Sequence, residues 1–190
     1  MAITLTAEKL ASARDFARLV TPGSRICLTT HVNPDGDGLG SEVGLVHLLR
    51  SRGVTATIAN PTPTPPRFDF LFEDLPGVDR SDEAVKELRR ADIIAVLDIS
   101  DLGRLGMLAE TVAGRGVPVA CIDHHVSPGT LPPGPRYVDP AAAATAELIV
   151  EIAMANEWTL AQPAARALYV GIMTDTGGFR VSDTRPRTLR

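Results

Sequence analysis

His31-Val32-Asn33-Pro34-Asp35-Gly36-Asp37-Gly38-Leu39-Gly40-Ser41 decides how the rest of this chain is read. The stretch follows an apolar run, Ile26-Cys27-Leu28, and precedes a segment with helical periodicity. One imidazole and two carboxylates therefore sit on the loop leaving an expected strand. Glycines at 36, 38 and 40 let that loop fold tightly and let a ligand approach its backbone. The carboxylates at 35 and 37 repel when held close, and one or two divalent cations are the simplest means of holding them together. The same residues also suit an Asn-Pro-Asp-Gly turn that holds nothing. The flanking sequence has to separate the two.

Working outward, residues 6–20 read as an amphipathic helix with Thr6 as N-cap, stopped by Thr21-Pro22-Gly23. Residues 25–30 read as a buried strand. A helix is expected over 39–52, stopped by Gly53, and a β-branched strand over 54–59. The proline-rich stretch 61–66 is an extended surface loop, which Phe68, Phe70, Leu71 and Phe72 pin to the body as core aromatics. Residues 81–90 read as a helix capped by Ser81 or Asp82. Residues 92–97 form an apolar strand ending at Asp98, and a turn through Arg104 and Gly106 leads into 107–113. Residues 117–122 form a strand ending at Asp123-His124-His125. A Pro/Gly-rich loop spans 127–140, an Ala-rich helix 141–155, and a last helix 162–173, with Pro163 in its first turn. That helix runs into a Gly-bounded loop carrying Asp175.

Alternating strand and helix patterns specify an α/β fold, a mainly parallel sheet with helices on both faces. In such sheets functional groups collect beyond the carboxyl ends of the strands. His31, Asp98 and Asp123 each follow an apolar strand, so three strand ends offer ligands to one crevice.

Composition narrows the function classes. A chain of 190 residues, 44% hydrophobic and 22% charged, has the make-up of a globular protein able to bury a core. Its net charge of -4 argues against coating long nucleic acid through bulk charge. Cys27 and Cys121 lie inside apolar strands and read as buried reduced thiols. No signal peptide and no membrane-length apolar run is visible, so a cytoplasmic location is expected.

The candidates His31, Asp35, Asp37, Asp98, His124, His125 and Asp175 suit two hard or borderline divalent ions. Mn²⁺ is the first expectation, with Mg²⁺ or Co²⁺ behind it. Such a pair polarises a phosphoryl group and generates a nucleophile near neutral pH. Arg104 and Arg180 are candidates for phosphate contact. His47, inside a helix, is given no role.

Four segments in order carry a family resemblance: 31–41, the apolar strand into Asp98, Asp123-His124-His125, and Thr174-Asp175-Thr176-Gly177-Gly178-Phe179-Arg180. Together they resemble the DHH phosphoesterases. The first and fourth are most similar to the branch of bacterial nanoRNases and 3′-phosphoadenosine-5′-phosphate phosphatases, with cyclic-di-AMP-linked phosphodiesterases close by. The resemblance implies a two-metal hydrolase, usually Mn²⁺-dependent, acting on short oligoribonucleotides or nucleotide phosphates. It implies that His31 and Asp35 bind one ion, that Asp37, His124 and Asp175 bind the other, and that Asp98 bridges them. His125 would contact substrate phosphate, and Asp123 would orient the motif from behind it. Residues 1–190 are expected to be the DHH catalytic domain without the second, DHHA1-type domain that binds the terminal nucleotide. Expected partners are a short RNA or nucleotide phosphate and, as cover for the terminal helices, a second copy in a homodimer. Long duplex nucleic acid and membrane are not expected. An inorganic pyrophosphatase-like hydrolase, or a nucleotide-binding module with little turnover, is the alternative.

Overall fold

The computed structural model describes residues 5–126 and 129–189. Five strands, β1 (Arg25–Thr29), β2 (Thr55–Ile58), β3 (Ile93–Leu97), β4 (Val119–Asp123) and β5 (Arg136–Val138), make one sheet in the order β2-β1-β3-β4-β5. Every neighbouring pair is parallel. The α-helices are α1 (Ala7–Leu19), α2 (Gly36–Arg50), α3 (Ala84–Arg90), α4 (Ala109–Gly114), α5 (Thr145–Ala155) and α6 (Gln162–Asp175).

The continuous apolar run of β3 has a direct structural cause: both faces of the sheet are covered. Ile93, Ala95 and Leu97 point into a core shared with α1, α2, α5 and α6. Ile94 and Val96 point into a second core with Ala84 and Leu88 of α3 and Val112 of α4. Leu39, Leu45, Leu48 and Leu49 of α2 are fully buried, and each contributes roughly 1.5–3 kcal/mol relative to exposure. Cys27 and Cys121 are free and buried, with burial pushing both thiols up to about 12.

The chain runs from β1 outward to β2, then crosses back so that β3 lies on the other side of β1. The strand order therefore reverses between β1 and β3, where ligand crevices form in open α/β sheets. His31 follows β1 and Asp98 follows β3, so both stand at this reversal.

Several local expectations are corrected. The helix expected over 39–52 begins at Gly36, so Asp37 lies in its first turn and not on a loop. Its early glycines serve packing. A Cβ on Gly38 would meet Thr30 Oγ1 at 2.7 Å, and one on Gly40 would meet the Ala167 carbonyl of α6 at 2.6 Å. The loop expected over 127–140 contains β5, with Tyr137 buried opposite Ile122; Ser127 and Pro128 lie outside the described residues. The helix expected from residue 141 starts at Thr145, because Asp139 Oδ1 accepts the Ala141 N–H and Glu147 Oε2 accepts the Ala143 N–H, holding 141–144 in a turn.

Asp175 belongs to α6 as its last residue. Over 81–90 a 3₁₀ turn, Ser81–Glu83, precedes α3, and neither Ser81 nor Asp82 caps it. The Ser81 hydroxyl is instead occupied by Asp79 and by the Asn60 N–H. The aromatic segment is a 3₁₀ helix, Pro66–Phe72. Phe68 and Leu71 share its buried face at the three-residue period, which leaves Phe70 exposed.

Candidate metal centre

Each donor reaches the crevice for a local reason. Asp35 is the N-cap of α2: its Oδ1 accepts the N–H groups of Asp37 (3.0 Å) and Gly38 (3.1 Å). Its Oδ2 remains free to face His31 Nε2 at 3.6 Å. Asp98 sits at φ 58, a left-handed conformation that swings its carboxylate back over the end of β3. Asn33 and Ser100, on the loops either side, also have positive φ. Strained non-glycine backbone thus gathers around one point, as it does at functional sites. Asp175 arrives at the carboxyl end of α6, where the helix dipole favours a cation.

Three donor groups result, each with ligand atoms within 4.8 Å of one another: His31, Asp35 and Asp98; Asp37, His124 and Asp175; Asp98, His124 and His125. Asp98 Oδ2 lies 3.7 Å from His31 Nε2, while its Oδ1 lies 3.5 Å from His124 Nε2 and 3.5 Å from His125 Nδ1. His124 Nε2 also stands 3.8 Å from Asp37 Oδ2 and 3.4 Å from Asp175 Oδ2.

The imidazoles are preset as ligands. A carbonyl can only accept, so His31 Nδ1–H donates to the Val32 carbonyl (2.8 Å) and aims Nε2 at the crevice. His124 Nδ1 makes the corresponding, longer contact to the Ala142 carbonyl (3.4 Å). His125 Nδ1 donates to Asp123 Oδ1 at 2.8 Å. Asp123 is fully buried and also accepts the N–H groups of Ser100 and His125, so it orients the motif from behind. Burial works to raise its pKa, but these His125 contacts outweigh it and hold the carboxyl below its ordinary range.

The fit to divalent ions rests on one atom above all. His31 Nε2 is buried and has no hydrogen-bond partner, though two carboxylates face it. A buried nitrogen left this way is costly unless something occupies the gap. Burial pulls His31 down, yet Asp35 and Asp98 outweigh it and push the ring up to about 10. Asp35 falls to about 2, burial being overcome by His31 and by the α2 N–H groups. Asp37 is raised well above its ordinary value by burial and by the charges of Asp98 and Asp175. Asp175 is raised by burial and by Asp98 and Asp35. Among the described residues no Lys or Arg pairs with these carboxylates, so the donor set has the composition of two divalent-cation sites.

Arg104 is exposed beside the crevice, with Nη1 3.4 Å from Ser100 Oγ and its carbonyl accepting the Val32 N–H. Arg180 lies farther along the turn after α6, with Nε donating to the Gly177 carbonyl at 2.9 Å. The buried hydroxyls of Thr145 and Ser41, which contact Asp98 and Asp37, were not singled out in the sequence. A threonine near a helix start was the available signal, hidden by the Ala-rich run before it.

The chain belongs to the DHH family: the model of that family's N-terminal domain matches residues 25–172. It is related to the branch of bifunctional oligoribonuclease and PAP phosphatase NrnA proteins. It is 35% identical to the one from Thermus thermophilus over 177 residues, covering 87% of this chain and 47% of that one. The Bacillus subtilis protein of the same name is 29% identical over 180 residues, covering 93% and 54%. A solved structure of an exopolyphosphatase-related protein from Bacteroides fragilis superposes with a TM-score of 0.84 at 26% identity, covering 99% of this chain and 56% of that one. The chain thus spans about half the length of the relatives it matches.

Proposed function

We propose that residues 1–190 form a DHH catalytic domain, a two-metal phosphoesterase that hydrolyses short oligoribonucleotides, 3′-phosphoadenosine-5′-phosphate or both. The observation that carries this reading is the division of Asp98: one oxygen faces the His31–Asp35 group and the other faces His124. A carboxylate shared in this way suits a dinuclear site. His31 and Asp35 hold one ion, Asp37, His124 and Asp175 hold the other, and Asp98 serves both. Mn²⁺ suits this mixture of carboxylates and imidazoles, with Mg²⁺ or Co²⁺ as substitutes. The bound pair supplies Lewis acidity to the phosphoryl oxygens and lowers the pKa of water to near neutrality.

The chain's own residues do the remainder. His125, about a third exposed and fixed at Nδ1 by Asp123, turns Nε2 outward to a phosphoryl oxygen. The hydrogen bond to Asp123, helped by the Asp98 charge, raises the His125 pKa despite its partial burial, which favours the donating form. Arg104 at the crevice edge and Arg180 after α6 attract the substrate anion. The substrate class is supported by the names of the Thermus and Bacillus relatives.

The test is Mn²⁺-dependent hydrolysis of diadenylate by the chain, with pyrophosphate in parallel and Asp98→Ala as control. Turnover of diadenylate that needs both Mn²⁺ and Asp98 is expected. Unchanged turnover in Asp98→Ala, or consumption of pyrophosphate alone, would overturn the reading.

A further inference from the structure

One buried residue touches carboxylates from all three donor groups and belongs to none of them. Thr145 opens α5 and is fully buried. Its hydroxyl donates to Asp98 Oδ1 at 3.0 Å. Its backbone N–H donates to Asp37 Oδ2 at 2.6 Å, and the next N–H, of Ala146, donates to Asp37 Oδ1 at 2.9 Å. The partners lie 47 and 108 residues away in sequence, so these are tertiary contacts and not local turn chemistry.

We infer that Thr145 is a positioning residue of the metal centre: it clamps Asp98 and Asp37 together and fixes which oxygens they present. The inference rests on the dinuclear reading above.

Asp98 holds a left-handed conformation that is strained for a residue with a side chain, so contacts outside the strand end must keep its carboxylate aimed. The Thr145 hydroxyl reaches the oxygen that faces His124 and His125. It takes one lone pair and leaves the other for the crevice. Asp37 is handled through the backbone. Its two oxygens receive consecutive amides at the positive end of an 11-residue helix, which offsets part of the repulsion from Asp98 and Asp175. The hydroxyl and the amides sit on the same residue, so a shift of α5 moves both carboxylates together. Hydrogen bonds from behind orient metal ligands, and removing one lowers metal affinity by roughly 10- to 100-fold.

The backbone contacts to Asp37 survive substitution, so the hydroxyl is the part that can be tested. Mn²⁺ binding to the chain is titrated by electron paramagnetic resonance, with the spectrum of the bound ion recorded, for the wild type, Thr145→Val, Thr145→Ala and Thr145→Ser. Melting temperature and circular dichroism are measured alongside. Thr145→Val and Thr145→Ala are expected to bind Mn²⁺ about tenfold more weakly with an altered bound spectrum, and Thr145→Ser to restore both. Folded Val or Ala variants with wild-type affinity and spectrum would overturn the clamp while leaving the dinuclear reading intact. Equal weakening in Thr145→Ser would also overturn it, because packing and not the hydroxyl would then be at stake. A wild type that binds no Mn²⁺ would overturn the dinuclear reading, and the clamp with it.

Discussion

Two clusters of acids among the described residues are balanced in opposite ways. Asp139, Glu147 and Glu151 lie beside β5 and α5. Lys9 reaches Asp139 at 2.6 Å and Glu151 at 2.7 Å, and Arg187 pairs with Asp139 at 3.1 Å and with Glu147. The Tyr137 hydroxyl donates to the same Glu151 oxygen as Lys9, and the Thr188 hydroxyl donates to Glu147. In the crevice, Asp35, Asp37, Asp98 and Asp175 meet imidazoles and neutral N–H and hydroxyl donors, and among the described residues no Lys or Arg. Carboxylates answered by the chain's own cations are finished structure. Carboxylates answered only by neutral or titrating rings still need a charge from outside. A count of acidic residues does not separate the two, whereas the partner of each oxygen does.

Breaking the crevice cluster at its shared member should have the largest effect: Asp98→Ala is expected to reduce diadenylate turnover to the level of the metal-free chain. A thermal shift comes next. Mn²⁺ at about a hundred times its dissociation constant stabilises a one-site protein by about 2.7 kcal/mol, or roughly 5–10 °C at this size. The wild type should show that rise by calorimetry, and Asp98→Ala should lose it. Arg187→Ala leaves Glu147 without a cation and Asp139 with Lys9 alone, and should cost about 2 kcal/mol in denaturant melts. The Mn²⁺ shift should survive in that variant, and its loss would erase the distinction between the clusters.

The smallest effect is in protons. The His31 pKa, pushed up to about 10 without metal, lies above neutral pH, so the ring is protonated there. A ligating ring is neutral, so Mn²⁺ uptake at pH 7 should release the His31 proton, and that contribution should fade as pH rises through that value. Titration calorimetry in buffers of different ionisation enthalpy measures this directly.

Where chemistry sits at strand ends, the sequence is informative. Apolar runs before His31, Asp98 and Asp123 mark both the strands and the crevice, and all three residues lie at or just beyond strand ends. Short or disguised elements are less legible. β5 has three residues among prolines, too few for an alternating pattern to emerge. Residues 141–144 have high helix propensity, but side-chain bonds from Asp139 and Glu147 override it, which conceals Thr145 as the first residue of α5. Asp175 looks like a loop residue because Gly177 and Gly178 follow closely, yet α6 carries it to its last turn.

The glycines of α2 have a consequence far from their own atoms. α2 and α6 run antiparallel and touch backbone to backbone at Gly40, where an added Cβ would stand 2.6 Å from the Ala167 carbonyl and 2.8 Å from the Gly171 nitrogen. α2 begins with Asp35 and Asp37, and α6 ends with Asp175. The width of the gap between those acids is therefore gauged a turn or more below it, by the absence of a methyl group. The spacing of the acids at the mouth of the crevice thus depends on helix packing as well as on the ligands themselves.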